Sequence, residues 1–483
     1  MAPIETSSRT KRPNTGRRAE RAREKGVALL MATLSLLFLV PMAGLAIDAG
    51  MAYIIKTRLS VAVDSACLAA ARSLNRGLDL ASQRDAARGV ALRYFSANFP
   101  TGHFGTTGVA PLVNIDESQF RMRIVTVNAT RTAPLYFMPI IGPEYADVNV
   151  IGQATRRDSN VILVLDRSGS MEINNSVTPM KNAAVNFAQK FANGKDQMGL
   201  VVFNTAVTRA MEPTQYFLTS SPSITSKINS IDASGGTNST GGMQAAYDML
   251  TTINQAGAVN AVVFFTDGIP NGVTANFNNR NDNGELDLIK SGSGCTYKDS
   301  DRLGTIAYGG HPNSTGSPTY GIYKHTTTSL TNDGLTAISN LSGCSMNSNL
   351  ANMYQDIARF PYKDYWGNRT AGFSGAESVT YTSMNNRRNM ANVSMNTLLD
   401  QSSKIRSNAT LQPVIYAIGL APKTGDYSID EAFMKRLANS PDSTTYNSSQ
   451  STGLYIYVDL NDQANALQEA FNRIASEILR LSL

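Results

Sequence analysis

Cysteine, histidine and tryptophan are scarce in this chain: its 483 residues hold three Cys, three His and one Trp. So few thiolates and imidazoles argue against a zinc centre. Charge is also sparse, at 17% of residues, and the basic excess is local. Of the formal +6, the first 25 residues carry +5, from eight basic residues (Arg9, Lys11, Arg12, Arg17, Arg18, Arg21, Arg23, Lys25) against Glu5, Glu20 and Glu24. The rest of the chain is near neutral, which argues against a broad nucleic-acid-binding face. A Gly-x-Ser-x-Gly elbow and a phosphate-cradling glycine loop are both missing, and His103, His311 and His325 have no Ser or Cys nucleophile context. The expectation is a protein that is not an enzyme.

One long apolar run is present. Gly26–Ile47 carries no charge and follows the basic segment directly. As a helix it would extend about 30 Å, enough to cross a bilayer. Basic residues stay on the cytoplasmic side, so residues 1–25 form a cytoplasmic tail, disordered or lying along the inner membrane face, and everything after Asp48 is outside. A cleaved signal peptide ending near Gly44-Leu45-Ala46 is the other reading; the long basic region and long apolar run favour an anchor. Pro41 kinks such a helix without ending the span. Export makes a disulfide between Cys295 and Cys344 possible, worth roughly 4 kcal/mol in the chain-entropy model, with two unrelated thiols as the alternative. Cys67 lies in an Ala-rich helix and reads as a small packing residue.

Past the span, Ala and Leu are plentiful and Pro is absent, so one helix is expected from about 27 to 75, half in lipid. Residues 76–155 hold strand-like runs, Phe120–Asn128 and Val148–Ala154, and read as a small membrane-proximal β-containing module. From 158 to 483 strands alternate with helices. The strands are Val161–Leu165, Met198–Phe203 with a hairpin partner near 205–212, Ala261–Phe265, Val414–Ile418 and Leu454–Val458. The final helix places Leu467, Phe471, Ile474, Ile478 and Leu481 on one stripe. This is an α/β fold: a doubly wound, mostly parallel sheet with helices on both faces. Residues 270–385 interrupt it with an Asn-, Ser-, Thr- and Gly-rich insertion that holds eight of the nineteen Tyr and Trp366. A structureless loop of that length is uncommon, so the insertion should have some fold of its own. Its composition suits either a solvated decoration or an adaptable binding loop that sets ligand choice.

Five residues carry the chemistry: Asp166, Ser168 and Ser170 in VLDRSGSM, Thr237 in SGGTN, and Asp267 in FFTDG. All are small oxygen donors, each placed where a loop leaves an apolar strand or precedes a helix. A hard divalent cation takes such oxygens, and ligands of doubly wound folds bind outside the carboxyl ends of the strands. Singly, Asp-x-Ser-x-Ser could be a helix cap and Thr-Asp-Gly a turn.

In order, the five residues resemble the metal-ion-dependent adhesion site of von Willebrand factor type A domains, over about 158–270 and 387–480. The resemblance implies Mg²⁺, with Mn²⁺ or Ca²⁺ as alternatives, and a protein partner whose acidic residue completes the metal shell. The serines and threonine would contact the metal, and the aspartates would act directly or through water. A second resemblance lies upstream. The apolar helix followed by Asp48-x-Gly50, Leu59, Asp64-Ser65-Ala66 and Ala69-Ala70-Ala71 is similar to the TadE/TadG-like domain of tight-adherence (Flp) pilus assembly proteins. Type IV pilins carry a Glu five residues after the processed Gly, whereas Gly26 here is followed by Val27, Ala28, Leu29, Leu30 and Met31, which argues against a polymerising pilin. Together these imply a single-pass protein of the bacterial inner membrane with its C-terminal domain periplasmic or surface-exposed. It would act in pilus assembly or adhesion, with pilus subunits or assembly proteins as partners. The alternative is a structural scaffold of the pilus machinery whose metal site is vestigial or only stabilising.

Overall fold

The computed structural model describes residues 15–140, 142–277, 288–291, 294–297, 302–309, 319–325, 335–337, 362–381, 387–422 and 429–483. The chain divides into two compact units, one of Met1–Ala69, Gly89–Asn114 and Val125–Ala154, the other of Ala70–Arg88, Ile115–Ile124 and Thr155–Leu483.

Helix α1 (Thr15–Ser73) is continuous through Pro41. It begins earlier than expected: the basic segment is part of the same helix, because Arg, Ala, Glu and Lys are good helix formers. Its apolar part is mostly exposed, with only 6% of the most hydrophobic window buried, as a helix apolar on every side would be in lipid. Further on, Ile55, Leu59, Ala62, Val63, Ala66 and Cys67 form a buried stripe at helical spacing, and Cys67 is a free thiol. Helix α2 (Leu80–Asn98) lies in the region where sequence patterning gave only strands. Its polar residues are scattered through the pattern, so no clean apolar stripe announces it. Strands β1 (Leu112–Asp116), β2 (Met122–Pro134) and β3 (Tyr145–Arg157) form a three-stranded sheet with β2 central. Along β2, Val125, Val127, Ala129, Arg131 and Ala133 are buried in alternation, the period of a half-buried strand.

Within this first unit, Asp48 has a defined task. Its Oδ1 accepts a hydrogen bond from the backbone N–H of Tyr136 at 2.8 Å. Its Oδ2 accepts from those of Phe137 at 2.9 Å and Met138 at 2.8 Å. The neighbouring Gly50 has no comparable role, since a Cβ there would meet nothing within 4 Å.

The second unit runs β4 (Ser159–Asp166), α3 (Gly169–Ile173), α4 (Val177–Ala188), β5 (Gln197–Phe203), β6 (Val207–Thr214), α5 (Ile224–Asn229), α6 (Ser239–Ile253) and β7 (Val259–Thr266). It continues through β8 (Gly272–Phe277), β9 (Leu288–Ser291), β10 (Gly294–Tyr297), β11 (Arg302–Gly309), β12 (Thr319–His325) and β13 (Leu335–Ala337). It closes with α7 (Arg387–Arg406), β14 (Val414–Ala421), α8 (Glu431–Ala438), β15 (Tyr455–Asp459) and α9 (Gln463–Leu481). The main sheet has the order β15-β14-β7-β4-β5-β6. Neighbours are parallel except for the β5–β6 hairpin, so the fold is the mostly parallel, helix-flanked sheet expected. In the insertion, β8, β11, β12 and β13 form an antiparallel sheet. Cys344 and the side chain of Cys295 lie outside the described residues.

Both faces of the main sheet are covered, which is why its strands read as unbroken apolar runs. Alternate residues of β4 point to opposite faces. Val161, Leu163 and Leu165 pack with Phe187 of α4 and Leu467, Phe471, Ile474 and Ile478 of α9. Ile162 and Val164 pack with Met243, Met249 and Leu250 of α6, Leu398 of α7 and Phe433 of α8. Phe471 sits against Phe187 and Phe265, with ring centroids 5.6 and 6.3 Å away; each such ring contributes about 2–3 kcal/mol by burial. Leu481, expected on the same stripe, lies in the last helical turn and is 36% exposed.

At the start of β4 the second unit buries charge. The Arg156 Nη2 lies 2.7 Å from Asp196 Oδ2, and both side chains are almost fully buried. Asp196 also accepts from the backbone N–H of Ser159 at 2.9 Å and of Ala192 at 2.7 Å. Arg123 is buried nearby, donating to Gln83 Oε1 and the Leu74 carbonyl. Burial first, then the Arg156 charge, lowers its guanidinium to about 10.

Candidate metal centre

The C-terminal edge of the main sheet gathers the expected oxygens. Asp166 ends β4 and is level with Phe203 of β5, while Leu165 is level with Phe265 of β7. That register sets Thr266, the last residue of β7, beside Asp166. Thr266 Oγ1 donates to Asp166 Oδ2 at 2.6 Å, and the backbone N–H of Ser168 donates to Asp166 Oδ1 at 2.7 Å. The chain then turns into the short helix α3.

Ser168 occupies the N-cap position of α3 yet makes no side-chain cap hydrogen bond, unlike an ordinary capping serine. Its hydroxyl instead meets that of Ser170 at 2.9 Å. Ser170 Oγ donates to Asp267 Oδ1 at 2.6 Å, and Asn174 Nδ2 donates to Asp267 Oδ2 at 3.0 Å. Asp166, Ser168, Ser170 and Asp267 thus occupy one cluster, buried except for the half-buried Ser170. Thr237 lies on the adjoining loop, also buried. Its backbone N–H donates to Asn271 Oδ1 at 2.7 Å. Two residues earlier, the Gly235 carbonyl accepts from Gly169 N–H at 3.0 Å, which ties the Thr237 loop to the serine loop. Gly235 needs its hydrogen side chain: its φ is +79° and a Cβ would fall 2.9 Å from Thr205 Oγ1.

Sequence reasoning missed Thr266 and Asn174. Thr266 precedes Asp267 and could have been read as a residue at a strand end. Asn174 lies four residues after Ser170, the spacing that stacks side chains on one helical face.

Electrostatically the cluster is short of positive charge. Burial, then the nearby Asp267 charge, pushes the Asp166 carboxyl up to about 7. Burial pushes Asp267 up to about 6 against the opposing hydrogen bonds from Ser170 and Asn174. Among the described residues, neither carboxylate has a Lys, Arg or His partner, and no group of three or more His, Cys, Asp or Glu is assembled. The donors here are two carboxylates and hydroxyls, all hard oxygens. A hard divalent cation fits that set, satisfying the oxygens and offsetting the mutual repulsion.

A pH dependence follows for the metal-free chain. Both carboxyls have folded-state values above the ordinary aspartate value of 3.8, so the folded form binds protons more tightly than the unfolded one. Their contribution to stability is greatest at low pH and falls as pH rises from about 4 to about 7, then levels off. Melting temperatures of the chelated chain across that window should show this decline, and Asp166→Asn should flatten it. A decline of equal size in the variant would assign it to other groups.

Residues 160–315 match the family of von Willebrand factor type A domains. Residues 26–73 match the family described as Flp pilus-assembly TadE/G-like. Over 142 residues the chain is 30% identical to calcium-activated chloride channel regulator 3A-1 of Mus musculus, a stretch that is 29% of this chain and 15% of that protein. The PilB minor pilin of Streptococcus sanguinis aligns at 14% identity, covering 77% of this chain and 78% of that one, with a TM-score of 0.36. The vWF domain of the type V pili tip protein Mfa5 of Porphyromonas gingivalis aligns at 14% identity, covering 68% of this chain and 98% of that one, also with a TM-score of 0.36. The chain therefore carries a TadE/G-like N-terminal segment followed by a von Willebrand factor type A domain.

Proposed function

We propose that this is a membrane-anchored, non-enzymatic pilus assembly or adhesion protein whose exported A domain grips a protein partner through a divalent cation. The observation that carries this reading is the pair of buried carboxylates, Asp166 and Asp267, uncompensated by any cationic side chain among the described residues and joined by the Ser168 and Ser170 hydroxyls. Asp166, Ser168, Ser170, Thr237 and Asp267 would hold the ion, Mg²⁺ being our assignment over Mn²⁺ or Ca²⁺. The two carboxylates only balance the charge of a divalent ion and the other donors are neutral hydroxyls, so the ion is not over-neutralised and can still accept an acidic side chain from a pilus subunit or assembly protein. The basic tail before the apolar helix supports an N-terminus inside and an A domain outside the inner membrane.

A second reading has its own support. Ser168, Ser170 and Asp267 already hydrogen-bond to one another, as a purely structural cluster would. Ser168→Ala separates the two. It removes one hydroxyl from the partner-binding site while leaving the core intact. Cells carrying the variant should lose adherence or surface pili to the degree that chelator removes them from wild-type cells. Undiminished pili and adherence in the variant would establish the scaffold reading instead.

A further inference from the structure

Resting on the membrane-anchor reading, we propose that the segment Leu135–Pro143 is a second membrane element, a wedge that enters the leaflet on the Asp48 side and packs lipid acyl chains between itself and α1. The sequence Leu-Tyr-Phe-Met-Pro-Ile-Ile-Gly-Pro is uncharged. Tyr136 is 59% and Ile140 75% exposed, although both are large and mainly apolar. The segment lies along the apolar part of α1. A Cβ at Gly44 would come within 2.5 Å of Phe137 Cβ, so Phe137 sits directly on that helix. Gly44 is four residues before Asp48, about 6 Å into the apolar run. Below this contact is a groove of about 320 Å³, lined on the helix by Leu36, Leu37, Val40 and Pro41 and on the segment by Met138 and Ile140.

Hydrocarbon admits irregular backbone only when its polar groups are satisfied internally. Among the described residues of the segment, 135–140 and 142–143, every backbone donor has an internal partner. The N–H of Leu135 donates to the Glu144 carbonyl at 2.9 Å, that of Ile140 to Phe137 at 3.2 Å and that of Gly142 to Met138 at 2.7 Å. Those of Tyr136, Phe137 and Met138 all donate to the Asp48 carboxylate. Pro139 and Pro143 have no N–H to satisfy. A loop meant for water would not need this, since solvent would serve the same donors. Asp48 is thus a positioning residue, and Tyr136 occupies the flank where amphipathic rings favour the membrane interface. An acyl chain is the occupant that matches a groove whose one wall is the membrane helix itself.

Depth-dependent quenching tests this on the full chain in phosphatidylcholine–phosphatidylglycerol vesicles. Trp366→Phe removes the native fluorophore, and Ile140→Trp places one on the wedge. Leu34→Trp, in the same background, reports the anchor. Lipids brominated on the acyl chain should remove most of the emission from both sites, and aqueous acrylamide should reach neither. Bromine quenching at 34 with acrylamide quenching at 140 would keep the anchor and overturn the wedge. Shielding of site 140 from both quenchers would place protein in the groove and also overturn it. Failure of bromine at both sites would sink the anchor and the wedge together. Adding Asp48→Ala should expose site 140 to acrylamide; if lipid quenching there persists unchanged, the clamp role is wrong.

Discussion

Exchanging Asp166 for asparagine should invert the response of the protein to divalent metal. In chelator at pH 7.5 the variant should melt higher than the wild type. It removes a buried carboxylate that burial and Asp267 both disfavour in its charged form, and such relief is stabilising. With Mg²⁺ at about a hundred times its dissociation constant, the wild type should gain roughly 2.7 kcal/mol while the variant gains nothing. The two melting curves should therefore exchange order on adding metal. Calorimetry of the full chain in detergent, with chelator, Mg²⁺, Mn²⁺ and Ca²⁺, measures this and ranks the ions. An equal metal shift in both proteins would remove Asp166 from the metal shell. A variant less stable than the wild type in chelator would show that the carboxylate's hydrogen bonds to Thr266 and Ser168 outweigh its desolvation.

The second large effect is expected far from that site. Asp196→Ala should destabilise the second unit by about 3–5 kcal/mol, lowering its melting temperature by roughly 10 °C. The carboxylate neutralises Arg156 at 2.7 Å and holds two backbone donors, Ser159 and Ala192. Without it, Arg156 and Arg123 would share a buried site as like charges. Those guanidiniums cannot escape by losing a proton near neutral pH. Thermal unfolding of the full chain reads the loss, and a change below about 1 kcal/mol would mean that solvent reaches the arginines.

The two expectations differ in how far the sequence foretold them. Asp166, Ser168, Ser170, Thr237 and Asp267 stand out because each follows an apolar run or a glycine turn, and strand ends in an α/β alternation converge on one sheet edge. The strands were legible for the same reason: a sheet covered on both faces writes itself as unbroken Val, Ile, Leu and Phe. The apolar span was legible from length alone. Asp196 and Arg156 gave no such sign. They are 40 residues apart, and a charged residue in a loop reads as solvated until its partner is in place. Asp48 stood in a recognisable motif, but its three acceptor bonds come from residues about 90 positions away. Thr266 and Asn174 were hidden because their partners become neighbours only through the β4–β7 register and the turn into α3.

By itself, then, the sequence determined the local and periodic properties of this protein: a helix long enough for a bilayer, a two-faced parallel sheet and a set of hard oxygen donors at strand ends. These follow from composition and spacing within a few residues, where burial and backbone geometry act directly. Only the tertiary structure decided which donors meet, which charges are buried together and which uncharged loop lies along the long apolar helix. Such pairings join residues tens of positions apart, and their energies depend on distance and desolvation that no linear pattern records.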